Sequence, residues 1–257
     1  FKVRVIASNI GIERFYNEID TVSIIQDLIK ISDPKINEKT IFLWPEGMLP
    51  NISKEDLIEY SWLFEEKFNN NHLFIIGTNS QSDDNRSIKY FNSLSVYDSK
   101  LRVLNSYNKI NLVPFGEFLP LENISKLFGL RSLTNNYQSY SSGKERSIIE
   151  IKKQDFSLRI LPLICYEIIY SGKLFKEFDF DLIVNISEDG WFGQTIGPKQ
   201  HFAHSILRAI ESGKYLVRSS NNGITAIINP LGNIEQSVNL DKSGYIDFEE
   251  SRKIQPT

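Results

Sequence analysis

Three short segments each place a side chain capable of chemistry directly after an apolar, strand-like run. Glu46 follows Ile41-Phe42-Leu43-Trp44-Pro45. A carboxylate held there is poorly solvated and can act as a base, or it can simply cap a loop. Lys109 ends Tyr107-Asn108-Lys109, shortly before Pro114-Phe115-Gly116-Glu117. It reads either as a fixed cation in a cleft or as a surface lysine. Cys165 ends Leu163-Ile164-Cys165 and precedes Tyr166-Glu167. It is either a small buried hydrophobe or a nucleophile on a strand-to-helix elbow, where backbone N–H groups can bind an oxyanion. A base, a cation and a thiol together would suit nucleophilic catalysis.

The elements that must position them alternate between strand and helix patterns. Residues 3–8, 40–44 and 72–78 read as strands. Asp20 is a candidate N-cap for a helix over 21–31, and Ser53 with Asp56 resembles a capping box for a helix reaching about Phe68. Residues 91–97 and 101–108 form a predicted hairpin. Residues 118–146 have little periodicity and include Phe128, Leu130, Leu133 and Tyr137. That pattern fits a long, partly apolar loop of functional or mobile character, or a small satellite core. Strands come next at 157–164 and 181–186. A helix over 198–212 has Pro198 in its first turn and Gly213 as its cap, with Phe202, Ile206, Ala209 and Ile210 as its expected buried face. Strands at 215–220 and 225–229 flank a turn at Asn221-Asn222-Gly223, and a short strand pair closes near 244–248. Buried strands with amphipathic helices between them predict an α/β fold of helix-covered sheets. No repeat or linker divides the chain, so one domain over residues 1–257 is expected.

With 257 residues, 41% hydrophobic and 24% charged, the chain can bury a sizeable core and is not a disordered or fibrous type. A net charge of −3 without a basic block argues against nucleic-acid binding. One cysteine excludes an internal disulfide and a multi-cysteine metal site. His201 and His204 could share a helix face, but a packed or solvated pair is the expectation, so no metal and no cofactor are predicted. No run approaches the roughly 18 apolar residues of a spanning helix. The strand-like start without Met reads as a piece of something longer, whose remaining segments could be the targeting or membrane parts.

Read in chain order, Glu46 after Trp-Pro, Lys109 with Pro-Phe-Gly-Glu behind it, and Cys165 before Tyr-Glu resemble the ordered Glu-Lys-Cys triad of the nitrilase superfamily. The stretch 185–233 is more specific. Trp191-Phe192-Gly193, Gly197-Pro198, the helix with Arg208 and Glu211, and Arg218-Ser219 with Asn221-Asn222-Gly223-Ile224-Thr225 resemble the apolipoprotein N-acyltransferases more than the soluble amidases. Glu188-Asp189-Gly190 departs slightly from that pattern.

The resemblance implies a four-layer α-β-β-α sandwich with Glu46, Lys109 and Cys165 as the catalytic triad. It implies support from Glu117, Tyr166 and Glu167 and substrate contacts from Trp191 and Phe192. It further implies a phospholipid acyl donor, a diacylglyceryl lipoprotein as acceptor, and a catalytic domain on the periplasmic side of the bacterial inner membrane. Membrane contact would come through transmembrane segments outside this chain and through the loop over 118–146. The reaction would be ping-pong, through a Cys165 thioester, with the Lys109 cation lowering the pKa of the thiol. A soluble amidase of the same superfamily is the alternative.

Overall fold

Alternation inside the apolar strands decides the architecture. Ile41 and Leu43 point to one face and Phe42 and Trp44 to the other, and all four are fully buried, so both faces of their sheet must be covered. The computed structural model describes residues 1–17, 20–83, 88–119, 139–153, 156–172, 174 and 179–249. Its strands are β1 (Lys2–Ala7), β2 (Thr40–Leu43), β3 (His72–Asp83), β4 (Ile88–Asp98), β5 (Val103–Asn108), β6 (Ile149–Lys153), β7 (Phe156–Ile164), β8 (Leu182–Glu188), β9 (Tyr215–Asn221), β10 (Thr225–Ile228), β11 (Ile234–Val238) and β12 (Gly244–Glu249). They form two six-stranded sheets, in the orders β12-β1-β2-β3-β4-β5 and β11-β10-β9-β8-β7-β6.

The inner faces of the two sheets pack on each other. Val5, Leu43, Ile75 and Val96 of the first sheet meet Ile160, Val184, Ile186 and Val217 of the second in one cluster. Outside the first sheet, helix α1 (Thr21–Ser32) and a 3₁₀ run Asp56–Leu63 cover Phe42, Trp44 and Phe74 with Ile25, Leu28 and Leu57. Outside the second sheet, helix α2 (Gly197–Ser212) sets Phe202 and Ala209 on Leu163, Ile183 and Leu216. Each large apolar side chain so buried contributes about 1.5–3 kcal/mol. The four layers α-β-β-α are those expected from the sequence.

Local signals also hold at the helix ends. The Asp20 carboxylate accepts from the Ser23 N–H at 3.2 Å, Pro198 lies in the first turn of α2, and Gly213 closes that helix at φ 61°. Ser53 Oγ accepts from the Asp56 N–H at 3.2 Å, but the segment it opens is a 3₁₀ run rather than an α-helix to Phe68. The buried side of α2 is rotated from the expected one. His201, Ser205, Arg208 and Ser212 lie inward with Phe202 and Ala209, while Ile210 is half exposed and leans over Gly232. His201, Arg208 and Ser212, each with a hydrogen-bond partner inside, take places an apolar pattern would assign to isoleucine. The closing strand pair is also rearranged: β12 pairs with β1 of the first sheet, whereas β11 pairs with β10 of the second. Phe128, Leu130, Leu133 and Tyr137, and most of the predicted loop, lie outside the described residues.

Candidate active site

The three candidate residues all lie just past the C-terminal ends of strands. Glu46 comes shortly after β2, Lys109 is the first residue after β5, and Cys165 is the first residue after β7. The first two belong to one sheet and the third to the other, and face-to-face packing brings them together. Gly77 of β3 makes room for this. A Cβ there would stand 2.8 Å from the Glu46 Cα and 2.9 Å from the Ile186 side chain.

Cys165 has φ 46°, in the left-handed region that costs an ordinary residue about 1–3 kcal/mol. It begins a 3₁₀ turn, Cys165–Ile169, so the elbow expected from the sequence is present. Glu167, fully buried, holds the elbow in place. One of its oxygens accepts from the Ile164 N–H at 2.9 Å. The other accepts from Tyr107 Oη at 2.7 Å, the Ile110 N–H at 2.9 Å and Arg146 Nη2 at 3.1 Å. Glu167 therefore ties the cysteine turn of one sheet to the lysine strand of the other. Burial, and then the Glu167 charge, push the Tyr107 hydroxyl above its ordinary value, so it stays a donor.

Lys109 Nζ, 1% exposed, donates to Glu117 Oε1 at 2.9 Å and lies 3.5 Å from Glu46 Oε1. Burial works to lower the lysine pKa, but the charges of Glu117 and Glu46 outweigh it and hold the pKa above its ordinary value. Lys109 is held in its charged form at neutral pH. Asn92 of β4 donates from one nitrogen to both carboxylates, at 2.7 Å each. The Glu188 N–H donates to Glu46 Oε2 at 3.0 Å, and the Val113 N–H to Glu117 Oε2 at 2.9 Å.

Lys109 acts on the thiol in the expected direction but does not decide the net shift. Burial is the strongest influence and the Glu46 charge the next, and both push the Cys165 pKa up. Lys109 pulls it down but is outweighed, leaving it well above the ordinary value. The direction of the shift favours the protonated thiol over the thiolate.

These groups line an apolar cavity of about 390 Å³. Its walls include Leu49, Tyr140, Tyr166, Trp191 and Phe192. Trp191 packs on Phe15 with ring centroids 4.8 Å apart. Tyr166 thus faces the cavity that Cys165 borders, whereas Glu167 lies behind the elbow and does not line it. Sequence reasoning missed Asn92, Phe15 and Tyr140, and missed that His201 reaches the elbow. Asn92 had one faint signal, an amide inside an otherwise buried strand; the others come from loops and a helix that only the fold brings in. His201, read as packed or solvated, is packed. It is 5% exposed and bonds to Asp189 and to the Cys165 carbonyl. Among the described residues no cluster of three or more His, Cys, Asp or Glu is arranged to hold a metal, and no helix is long and apolar enough to cross a membrane.

Known proteins resemble the chain at two levels. The sequence model of the carbon-nitrogen hydrolase family matches residues 41–249. Among curated proteins, an apolipoprotein N-acyltransferase of Rhizobium leguminosarum bv. trifolii is 32% identical over 238 residues, 90% of this chain and 44% of that protein. One of Bradyrhizobium diazoefficiens is 32% identical over 267 residues, 100% of this chain and 49% of that protein. One of Wigglesworthia glossinidia brevipalpis is 33% identical, over 92% and 47%. The chain spans somewhat under half the length of these relatives. Among solved structures, XC1258 of Xanthomonas campestris, a CN-hydrolase superfamily protein, has a TM-score of 0.65 at 13% identity, over 97% of this chain and 91% of that one. An amidase of Nesterenkonia sp. has a TM-score of 0.61 at 14% identity, over 96% and 89%. At these identities the structures speak for the fold.

Proposed function

The chain belongs to the carbon-nitrogen hydrolase family, and we propose that it is the catalytic domain, residues 1–257, of an apolipoprotein N-acyltransferase. The observation that carries this reading is the joining of two features: identity above 30% to such enzymes along nearly the whole chain, and an apolar cavity that ends on Glu46, Lys109 and Cys165. An acyl chain is the apolar occupant this chemistry calls for. The donor is a membrane phospholipid and the acceptor the α-amine of an S-diacylglyceryl-cysteine lipoprotein, at the periplasmic face of the inner membrane.

Catalysis proceeds in two halves. Cys165 Sγ attacks the ester carbonyl carbon while its proton passes to Glu46. The oxyanion is held by Lys109 Nζ and the N–H of Tyr166. The ester C–O bond then breaks, and Glu46 returns the proton to the alkoxide, releasing a lysophospholipid and leaving a thioester. In the second half the acceptor amine attacks the thioester, Glu46 takes its proton, and the C–S bond breaks to give the amide. The proton goes back to sulfur. Because Lys109 stays charged throughout, transferring the proton from thiol to Glu46 replaces one anion beside the cation with another. The site's net charge is unchanged, which suits a buried, poorly solvated place.

Transfer and hydrolysis separate experimentally. The chain is loaded with an activated long-chain acyl ester and the adduct is followed by intact mass. An N-acyltransferase keeps a single acyl adduct that an added primary amine discharges faster than water does. Turnover to free acid without a lasting adduct would assign the chain to the hydrolytic side of the family.

A further inference from the structure

The Cys165 carbonyl accepts a hydrogen bond from His201 Nε2 at 3.1 Å. That contact reaches across 36 residues, from α2 to the strained residue of the elbow. A carbonyl only accepts, so Nε2 carries a hydrogen. At the other ring nitrogen, Asp189 Oδ1 lies at 2.8 Å and Arg218 Nη2 at 3.2 Å. The ring is therefore held in one orientation whether Nδ1 donates to the carboxylate or accepts from the guanidinium. Asp189 is itself fixed by Arg218 Nη2, at 2.9 and 2.7 Å to its two oxygens. Arg218 is anchored on Asn185 Oδ1, and on Ser187 Oγ at 3.0 Å. Cys165, Asp189 and Arg218 come from the ends or bodies of β7, β8 and β9, neighbours in one sheet. Every member of this chain of contacts is buried, and a satisfied buried polar network specifies a single arrangement.

The carbonyl of Cys165 and the N–H of Tyr166 belong to the same planar, trans peptide unit and point in opposite directions. A donor that fixes the carbonyl fixes the N–H, and by polarising the amide makes that N–H a stronger donor. We propose that His201 is a positioning residue for the oxyanion-binding amide of Tyr166, with Asp189 and Arg218 holding its ring. The proposal rests on Cys165 being the nucleophile.

Two reactions of the same sulfur provide the test. Acylation by an activated ester builds an oxyanion; alkylation by iodoacetamide does not. His201→Phe and His201→Asn lose the Nε2 donor, whereas His201→Gln places an amide nitrogen near that position. The expected result is a fall of about 100-fold in acylation rate for Phe and Asn, a much smaller loss for Gln, and alkylation of all three within a few-fold of the parent. Acylation and alkylation that fall together would reduce His201 to a packing residue, and Phe or Asn variants acylated at the parent rate would overturn the proposal outright. Acyl uptake that persists in Cys165→Ala would instead remove the nucleophile assignment itself, a result separate from any of the His201 outcomes.

Discussion

Glu46→Gln is expected to slow acyl-enzyme formation by about 10²- to 10⁴-fold, the range over which general bases act. The shift of Cys165 favours the protonated thiol, so on the proposed mechanism Glu46 must accept its proton as the sulfur attacks. The substitution also has a structural signature. All three groups around the carboxylate are donors: Asn92 Nδ2, the Glu188 N–H and Lys109 Nζ. An amide offers one oxygen to them and turns its own N–H₂ toward another donor. Asn92 and Lys109 keep Glu117 as an acceptor, but with the amide oxygen on their side the Glu188 N–H loses its acceptor, at a cost of about 1–3 kcal/mol. The variant should fold with a lower melting temperature and lose rate far beyond what that shift explains. Single-turnover acylation together with thermal unfolding checks both parts, and parent-like acylation would remove Glu46 from the reaction.

The largest effect on stability is expected from Arg218→Met, about 3–5 kcal/mol at pH 7 by chemical unfolding, as for other buried pairs broken on one side. Arg218 and Asp189 are both fully buried. Burial, the largest influence on Asp189, raises its carboxyl, but the Arg218 charge and the His201 hydrogen bond outweigh it and hold the value below the ordinary one. A carboxylate depressed in the folded state adds stability above its unfolded value of about 3.9. That contribution is lost as the pH falls through the folded value. In the variant the opposing charge is gone and burial dominates, so acid penalises it less. The stability gap between the two proteins should narrow as the pH falls from about 7 toward 3. A gap that stays constant with pH would mean that the ion pair contributes nothing specific.

Much of the fold was legible because the strands are buried on both faces and therefore apolar without interruption, as in Ile41 to Trp44. The helix caps at Asp20 and Gly213 act over three or four residues and are just as readable. The inward turn of His201, Ser205 and Arg208 on α2 was not, because the burial of His201 and Arg208 depends on distant partners such as Asp189, Cys165 and Ile169. Glu46, Lys109 and Cys165 stood out by their place after apolar runs and by family resemblance, but nothing local shows that Glu167 bridges two sheets or that Asn92 joins two carboxylates. The net upward shift of the thiol was not legible for a related reason. From sequence Lys109 could be weighed as a cation near sulfur, while the opposing burial and the Glu46 charge emerge only when both sheets are packed. Within Glu188-Asp189-Gly190, the departure noted in the sequence, Glu188 pairs with Arg14, a buried partner far away in the chain, and its backbone holds Glu46.

The most direct measurement locates the acyl group. The chain, trapped after reaction with an activated long-chain ester, is digested and its peptides weighed. Acyl transfer through Cys165 requires one adduct, on the peptide carrying Cys165, cleaved by neutral hydroxylamine as a thioester is, and absent from Cys165→Ala. An adduct on any other residue, or equal loading of Cys165→Ala, would contradict it.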